Sequence, residues 1–314
     1  IAEHTEDLSL RSEALERLIE ASEPGPLRGR RALRLAETYH HELPDGERAR
    51  RAYGLAAEEA ETRGDALVGL CALLRAEEDW DALYEATEQQ LELIDGAAKA
   101  ALYVELAQLA ERREALEGAT GHLWAALSYG ADRDRVLSEI ERLARVGGLA
   151  FQLLRVLRKQ LESAEGETRR RLLGEIAGLQ ADDPETVSDA LETWRARLAD
   201  DEEDIEALQG ALQLAPEGEK RAYEWRLVDA LPPESEARED LLREIGADSD
   251  GAEARQAWVR LLEHSIDDEE AIEALQTLYG EDGDMAVLRD HLARYGHVGS
   301  PEGIERVFEL GRVC

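Results

Sequence analysis

The stretch ALYVELAQLAERREALEGATGHLWAALS, residues 101–128, decides the fold. Leu106-Ala107 and Ala110 recur at helical spacing, and Ala119, Leu123 and Ala126-Leu127 then repeat the pattern. Two helices joined by so short a link lie antiparallel, as a hairpin. A small residue stands where the two helices must approach closely, and a large one fills the gap beside it. Outward from this stretch the pattern returns. Upstream, Ala49, Tyr53 and Ala56 follow Leu35-Ala36 and Tyr39. Downstream, Ala190, Trp194 and Leu198 follow Ile176-Ala177, and Ala254, Trp258 and Leu261-Leu262 form a fourth set. The leading alanines are 70, 71 and 64 residues apart, room for four helices, or two hairpins of roughly 34 residues each.

Composition agrees with an all-helical array. Ala, Leu, Glu and Arg dominate, and these lose little rotamer freedom in a helix. Aromatic residues make up only 5% of the 314 residues, with Phe151 and Phe308 the sole phenylalanines, too sparse for the pleated surfaces of a sheet. Breakers punctuate the helical periods: Pro24-Gly25-Pro26, Pro44-Asp45-Gly46, Asp95-Gly96, Gly147-Gly148, Glu165-Gly166, Asp182-Asp183-Pro184, Pro216-Glu217-Gly218, Pro232-Pro233, Asp248-Ser249-Asp250-Gly251 and Gly280-Glu281-Asp282-Gly283. With less obvious turns between them, about eighteen helices of roughly 12 to 17 residues are expected.

This small–large–small spacing resembles the tetratricopeptide repeat. That family places small residues at the eighth and twentieth positions of its unit, a large one at the twenty-fourth and alanine at the twenty-seventh. Ala107, Ala119, Leu123 and Ala126 match without a gap, with Leu106 and Tyr103 at the preceding apolar positions. Ala36, Ala49, Tyr53 and Ala56 match with one extra residue, which the Pro44-Asp45-Gly46 turn could absorb. The third set also needs an extra residue and carries Arg197 at the usual alanine position, and Leu241-Leu242 and Ile245 fit the first helix of the fourth only loosely. The resemblance implies a right-handed α-solenoid of tandem antiparallel hairpins. It would run as one array over residues 1–314, with better-matching repeats over 26–130 and degenerate ones over 131–314. The chain opens at Ile1 without a methionine and ends at Cys314, so it reads as a fragment of something longer.

The formal charge of −34, from 71 acidic and 37 basic residues, repels phosphate backbones and anionic bilayers alike. Neither nucleic acid nor membrane is expected as a partner. Part of this acidity sits at helix starts, as in Asp200 to Asp204 and Asp267 to Glu270, where it complements the helix dipole. Only Lys99, Lys159 and Lys220 are lysines. Arg28, Arg30, Arg31, Arg34, Arg48, Arg50 and Arg51 make the first repeat basic, while Asp182 to Glu206 holds eleven acids. These regions could pair between molecules or attract oppositely charged partners, or serve simply as solvated helix faces. Cys71, inside the apolar run Ala66 to Leu74, reads as a small core residue, and two cysteines build no disulfide framework.

Candidate chemistry is thin. Trp80, Trp124, Trp194, Trp225 and Trp258 could form a binding stripe, but Trp194 and Trp258 recur at the same place in the period and Trp124 falls one residue later, so packing between hairpins is the better reading. His40-His41 are adjacent, so their side chains should diverge by about 100° and cannot chelate one ion as an i, i+4 pair could. His264 with Asp267 and Asp268 is a weak metal candidate. Asp248 to Gly251 lacks ligands at both ends of a calcium loop, since Gly246 and Ala257 fall there. No Walker loop, GxGxxG, GxSxG or CxxC is present, so no catalytic residue, metal or cofactor is implied.

The expected function is therefore a non-catalytic protein–protein interaction scaffold or adaptor, cytoplasmic in location. A structural spacer in a larger repeat protein, or a regulatory domain of an enzyme encoded outside these residues, stays open beside it. The resemblance implies that the first helix of each hairpin lines the concave side. Carried over by position, the partner-binding residues would be Arg34, Glu37, His40 and His41, then Glu105, Gln108, Glu111 and Arg112.

Overall fold

The structure, a computed structural model, describes residues 2–265 and 268–282. Among these the regular structure is entirely helical. In the first half the helices are α1 (Ala2–Glu20), α2 (Pro26–Glu37), α3 (Gly46–Ala57), α4 (Arg63–Ala76), α5 (Trp80–Leu93), α6 (Ala98–Arg112), α7 (Leu116–Ser128), α8 (Arg133–Gly147) and α9 (Ala150–Leu161). A π-helical turn, Thr38–Glu42, follows α2. In the second half come α10 (Gly166–Ala181), α11 (Val187–Asp200), α12 (Ile205–Leu214), α13 (Glu217–Ala230), α14 (Glu236–Asp248), α15 (Gly251–Leu262) and α16 (Glu269–Asp282). The chain falls into two compact units, residues 1–160 and 161–314.

Within each unit, helices pack on their chain neighbours. In the first, α2 pairs with α3, α4 with α5 and α6 with α7, and α3, α5 and α7 then meet the first helix of the next hairpin. In the second, α10 pairs with α11, α12 with α13 and α14 with α15, and α16 packs on α15. This is a tandem array of helical hairpins of the tetratricopeptide type. All eight residues of the two best-matching sets are buried: Ala36, Ala49, Tyr53 and Ala56, and Ala107, Ala119, Leu123 and Ala126. The fourth set is as regular as these. Its first helix is α14, which buries Leu241, Leu242, Ile245 and Gly246.

Most of the breakers fall between helices. The break expected at Gly280 does not occur, since α16 continues to Asp282; Gly283, Phe308 and Cys314 lie outside the described residues. Two turns reach a left-handed backbone without Gly. After α4 and α6 the chain reverses through Glu78 and Glu114, which take left-handed conformations at φ 57 and 58°. A side chain there costs roughly 1–2 kcal/mol, which the hairpin packing must offset.

At three contacts between helices an aromatic ring lies on glycine. Trp194 of α11 covers Gly210 of α12, Tyr53 of α3 covers Gly69 of α4, and Trp258 of α15 covers Gly246 of its own partner α14. A methyl group at any of the three glycines would overlap the ring. Trp194 and Trp258 are buried, whereas Trp80, Trp124 and Trp225 are half-buried and reach outward. Trp124 Nε1 donates to Gln152 Oε1 on α9 at 2.9 Å, and Trp225 Nε1 to Glu253 Oε1 on α15 at 2.8 Å. The tryptophans thus tie helices together, within hairpins as well as between them.

Arg197, the departure from the repeat pattern, is 6% exposed and has built its own surroundings. Its guanidinium donates to both carboxylate oxygens of Asp204, at 2.8 and 3.1 Å, and to Glu206 at 2.6 Å. Gly174 of α10 leaves the space that the guanidinium occupies. Asp204 meanwhile caps α12 by accepting from the Ala207 N–H at 3.0 Å. The same device recurs. Asp79 caps α5 and accepts from Arg50, and Asp268 caps α16 and accepts from Arg243. At these three helix starts the capping acid is thus also held by an arginine of another helix.

Two outcomes are expected in denaturant unfolding. Trp194→Ala costs about 3–5 kcal/mol by leaving a cavity, and Gly210→Ala is destabilising because the ring must move off its seat. Arg197→Ala, although it supplies the alanine of the repeat pattern, costs about 3 kcal/mol by leaving the buried Asp204 with only the Ala207 N–H and the more distant Arg170, 3.5 Å away. Burial pushes the Asp204 carboxyl up, but the Arg197 and Ala207 bonds outweigh it and hold it below its ordinary value. Its contribution is thus present above the unfolded carboxylate range and lost as pH falls through the depressed value. Acid unfolding of Arg197→Ala should begin at higher pH than in the parent chain, as circular dichroism would show.

Candidate functional site

The eight residues predicted to share one face are divided by the structure. Arg34 is exposed and turns toward α1, where it lines a groove between α1 and α2. Glu37 is exposed on the same helix, and its charge acts on the buried Tyr53. His40 and His41 sit in the π turn, closed by the bond from Leu43 N to Thr38 O at 2.9 Å. Their rings stack, 4.1 Å between centroids, instead of diverging as adjacent α-helical residues do. His40 Nδ1 lies 3.1 Å from Tyr53 Oη, and burial, with His41 beside it, pushes the His40 imidazole below its ordinary value.

On α6, Glu105 accepts from Arg75 of α4. Gln108 and Glu111 face α8. Arg112 departs from them: its guanidinium lies over the Trp80 ring, 4.3 Å from the centroid, against α5. Gln108 and Glu111 line a cleft of ≈ 240 Å³ between α6, α7 and α8. Its floor is apolar, from Val104, Leu123, Val136 and Leu143, and Arg135 and Glu139 complete its charged rim. Arg142 stands between the two rim glutamates, 2.6 Å from Glu139 and 2.7 Å from Glu111. These bonds raise the Arg142 pKa far above its ordinary value, and the Arg142 bond lowers that of Glu139. An apolar floor under polar groups of both signs suits one apolar side chain of a peptide, whose flanking backbone and charges the rim would meet.

Of the residues that line the cleft, Gln108 and Glu111 are among those singled out from the sequence, and those of α8 are not. A signal was present. The repeat of roughly 34 residues, stepped forward from Glu105 and Gln108, lands on Glu139 and Arg142.

The basic first repeat proves largely spoken for. Arg28 pairs with Glu58 at 3.0 Å, Arg30 with Glu61, and Arg50 with Glu77 and Asp79 at 2.5 and 2.7 Å. Arg48 donates to the Tyr39 hydroxyl at 3.2 Å and Arg31 to the Ser22 hydroxyl at 2.9 Å. In the acidic stretch, Asp200 and Asp201 take Arg169 and Arg170, as Asp204 and Glu206 take Arg197. Arg34 and Arg51 make no ion pair among the described residues.

The remaining chemistry candidates are ordinary. No group of three or more His, Cys, Asp or Glu among the described residues is arranged to hold a metal; Asp267 lies outside them. Gly251 turns the chain at φ 57° into α15, and Ser249 Oγ bonds Glu253 there, at a helix start. Cys71 is buried against Thr87, and burial raises its thiol pKa. No described helix is long and apolar enough to cross a membrane.

No protein-family model matches the chain, and no curated protein matches it in sequence. Among solved structures it is similar to the C-terminal part of a TPR repeat-containing protein from Cytophaga hutchinsonii. The two are 14% identical over 77% of this chain and 99% of that one, with a TM-score of 0.33. A tetratricopeptide repeat protein from Parabacteroides merdae is 10% identical over 90% and 98%, TM-score 0.33. YrrB, a TPR protein with an unusual peptide-binding site, is 18% identical over 59% and 94%, TM-score 0.29. At these scores the fold rests on the chain's own hairpin packing.

Because Arg142 is nearly half exposed, its pairs are screened by solvent. Arg142→Ala should cost less than about 1 kcal/mol in thermal or denaturant unfolding while leaving the cleft rim more acidic.

Proposed function

We propose that this chain is a non-catalytic scaffold that holds a protein or peptide partner on the face formed by the first helices of its hairpins. The observation that carries this reading is the α6–α8 cleft, with its apolar floor and its rim of Gln108, Glu111, Arg135 and Glu139. Glu105, one turn back on α6, extends that face toward α4 through Arg75. Glu37, His40 and His41 offer a second polar cluster beside Tyr53, and Arg34 and Arg112 flank the two clusters. A partner in extended conformation would place one apolar side chain in the cleft and its polar neighbours on the rim.

The non-catalytic reading draws on how the histidines are used. His40 is held by Tyr53, and His122 Nε2 lies 2.8 Å from Tyr84 Oη, with burial pushing its imidazole pKa down. Both are engaged in joining helices. Pairing between molecules through the basic and acidic regions has less to draw on, because most of those arginines already have partners within the chain.

The test is affinity capture from a native lysate with mass spectrometry, using the parent chain and a Gln108→Arg, Arg135→Glu double variant. Both positions are exposed, so the unfolding midpoint should stay unchanged. Specific partners of the parent should lose at least about ten-fold in enrichment, a change of about 1.4 kcal/mol. An identical partner profile from a folded double variant would sink the cleft assignment.

A further inference from the structure

Acidic residues number 71 in this chain, yet α9, with the sequence AFQLLRVLRKQL, carries none. Among the described helices it is the only one without an acid, and it holds three cations, Arg155, Arg158 and Lys159. Its inner side is ordinary: Leu153, Val156 and Leu157 are buried, and Gln160 Nε2 donates to Glu141 of α8 at 2.8 Å. Phe151, Arg155 and Arg158, at i, i+4 and i+7, share the opposite face and are all exposed. Phe151 is 73% exposed, and Val146, across the Gly147-Gly148 turn from it, is 70% exposed. These are the two most exposed large apolar side chains among the described residues, and they stand on either side of one turn.

The charge on this face is placed for a ligand. The Arg155 guanidinium lies over the Trp124 ring, 3.9 Å from its centroid, and makes no ion pair among the described residues. A guanidinium stacked in this way keeps the N–H donors of its edge for a carboxylate. Trp225 of the second unit shows the other arrangement. Its indole makes the matching bond to the second helix of the next hairpin, but the arginine over its ring, Arg260, is already paired with Asp229 at 2.6 Å. Arg158 and Lys159 have contacts of their own within the chain and extend the positive charge along α9.

We propose that the outer face of α9 docks an extended acidic segment of another protein that carries one large apolar residue. The apolar residue would lie against Phe151 at the α8–α9 turn, and carboxylates would meet Arg155 and Arg158. Along the helix axis Phe151 stands about 6 Å from Arg155 and about 10 Å from Arg158. An extended chain covers about these spans in two and three residues, so the carboxylates belong two and three positions from the apolar anchor. A two-fold dimer built on this face would set Arg155 and Arg158 against their own copies, which disfavours a second copy as the occupant. The chain's net charge of −34 does not forbid an acidic ligand. At physiological salt the Debye length is about 8 Å, so distant acids are screened while the α9 arginines lie in contact with the ligand. This surface shares no residue with the α6–α8 cleft and does not depend on what binds there.

The probe is a fluorescein-labelled synthetic peptide with a central phenylalanine, glutamate two and three positions to either side and serine elsewhere, read by anisotropy at roughly 150 mM salt. One control peptide carries lysine in place of glutamate, and another carries serine in place of phenylalanine. The probe should bind at least ten-fold tighter than either control. Phe151→Ser and Arg155→Glu, both at exposed positions and checked for folding by circular dichroism, should each weaken it at least ten-fold. The Gln108→Arg, Arg135→Glu variant should bind it as the parent does, which separates this test from that of the cleft. No binding of the probe, equal binding of probe and lysine control, or undiminished binding by both folded α9 variants overturns the proposal. So does tighter binding of a labelled thymidine oligonucleotide than of the probe, for the ligand would then be a phosphate backbone. A Phe151-dependent dimer in sedimentation velocity that the probe cannot dissociate overturns it as well, for the occupant would then be a second copy.

Discussion

The spacing of this molecule depends on flat aromatic rings resting on glycine. A ring can lie against a neighbouring helix only where that helix has no side chain, and Gly69, Gly210 and Gly246 supply the seats for Tyr53, Trp194 and Trp258. Each ring brings a large apolar area into the core and also fixes how near two helices come. The alanines at the other contact positions then fit, because they are small enough for that separation and leave no void. Had the seats carried side chains, the helices would stand further apart and the alanine contacts beneath would open. Alanines also fill contacts that have no such seat, as Ala107, Ala110, Ala119 and Ala126 do in α6 and α7.

Electrostatics complete what packing begins. A chain of net charge −34 should resist compaction, yet its acids are placed where backbone and arginine can use them. Asp45, Asp79, Asp132, Asp204 and Asp268 accept from free N–H groups at helix starts. Arginines then reach from neighbouring helices to several of the acids, which ties the end of one helix to the side of another. Guanidinium suits this role, since its fork can serve two acceptors at once, as Arg197 does for Asp204 and Glu206. The buried pair at Arg197 is a local substitute for the alanine that the repeat would place there, with Gly174 making the room.

Much of this was legible in the residues. The small–large–small spacing located the hairpins, and all eight positions of its two best-matching sets are buried. What escaped has physical causes. The turns at Glu78 and Glu114 show no Gly or Pro, because hairpin packing there imposes a left-handed backbone on glutamate. Arg197 read as a fault in the pattern, since its compensation lies seven residues on in Asp204 and on a different helix in Gly174. The His40–His41 stack depends on a π turn, which a count at α-helical angles cannot foresee. The cleft was half visible: α6 supplied Gln108 and Glu111, and α8 was not placed beside them. Arg112 shows the converse, a position on the expected face whose guanidinium is captured by the Trp80 ring.

Packing between chain neighbours also bears on how each unit is made and unmade. Nearly every tie described joins residues no more than about one hairpin apart in sequence, so closing each contact requires only a short loop. Folding can start at whichever hairpin forms first and extend outward by adding neighbours. Loss of structure would run the other way, with end hairpins opening before central ones and amide exchange graded along the unit. A single unfolding midpoint would then average a sequence of local openings.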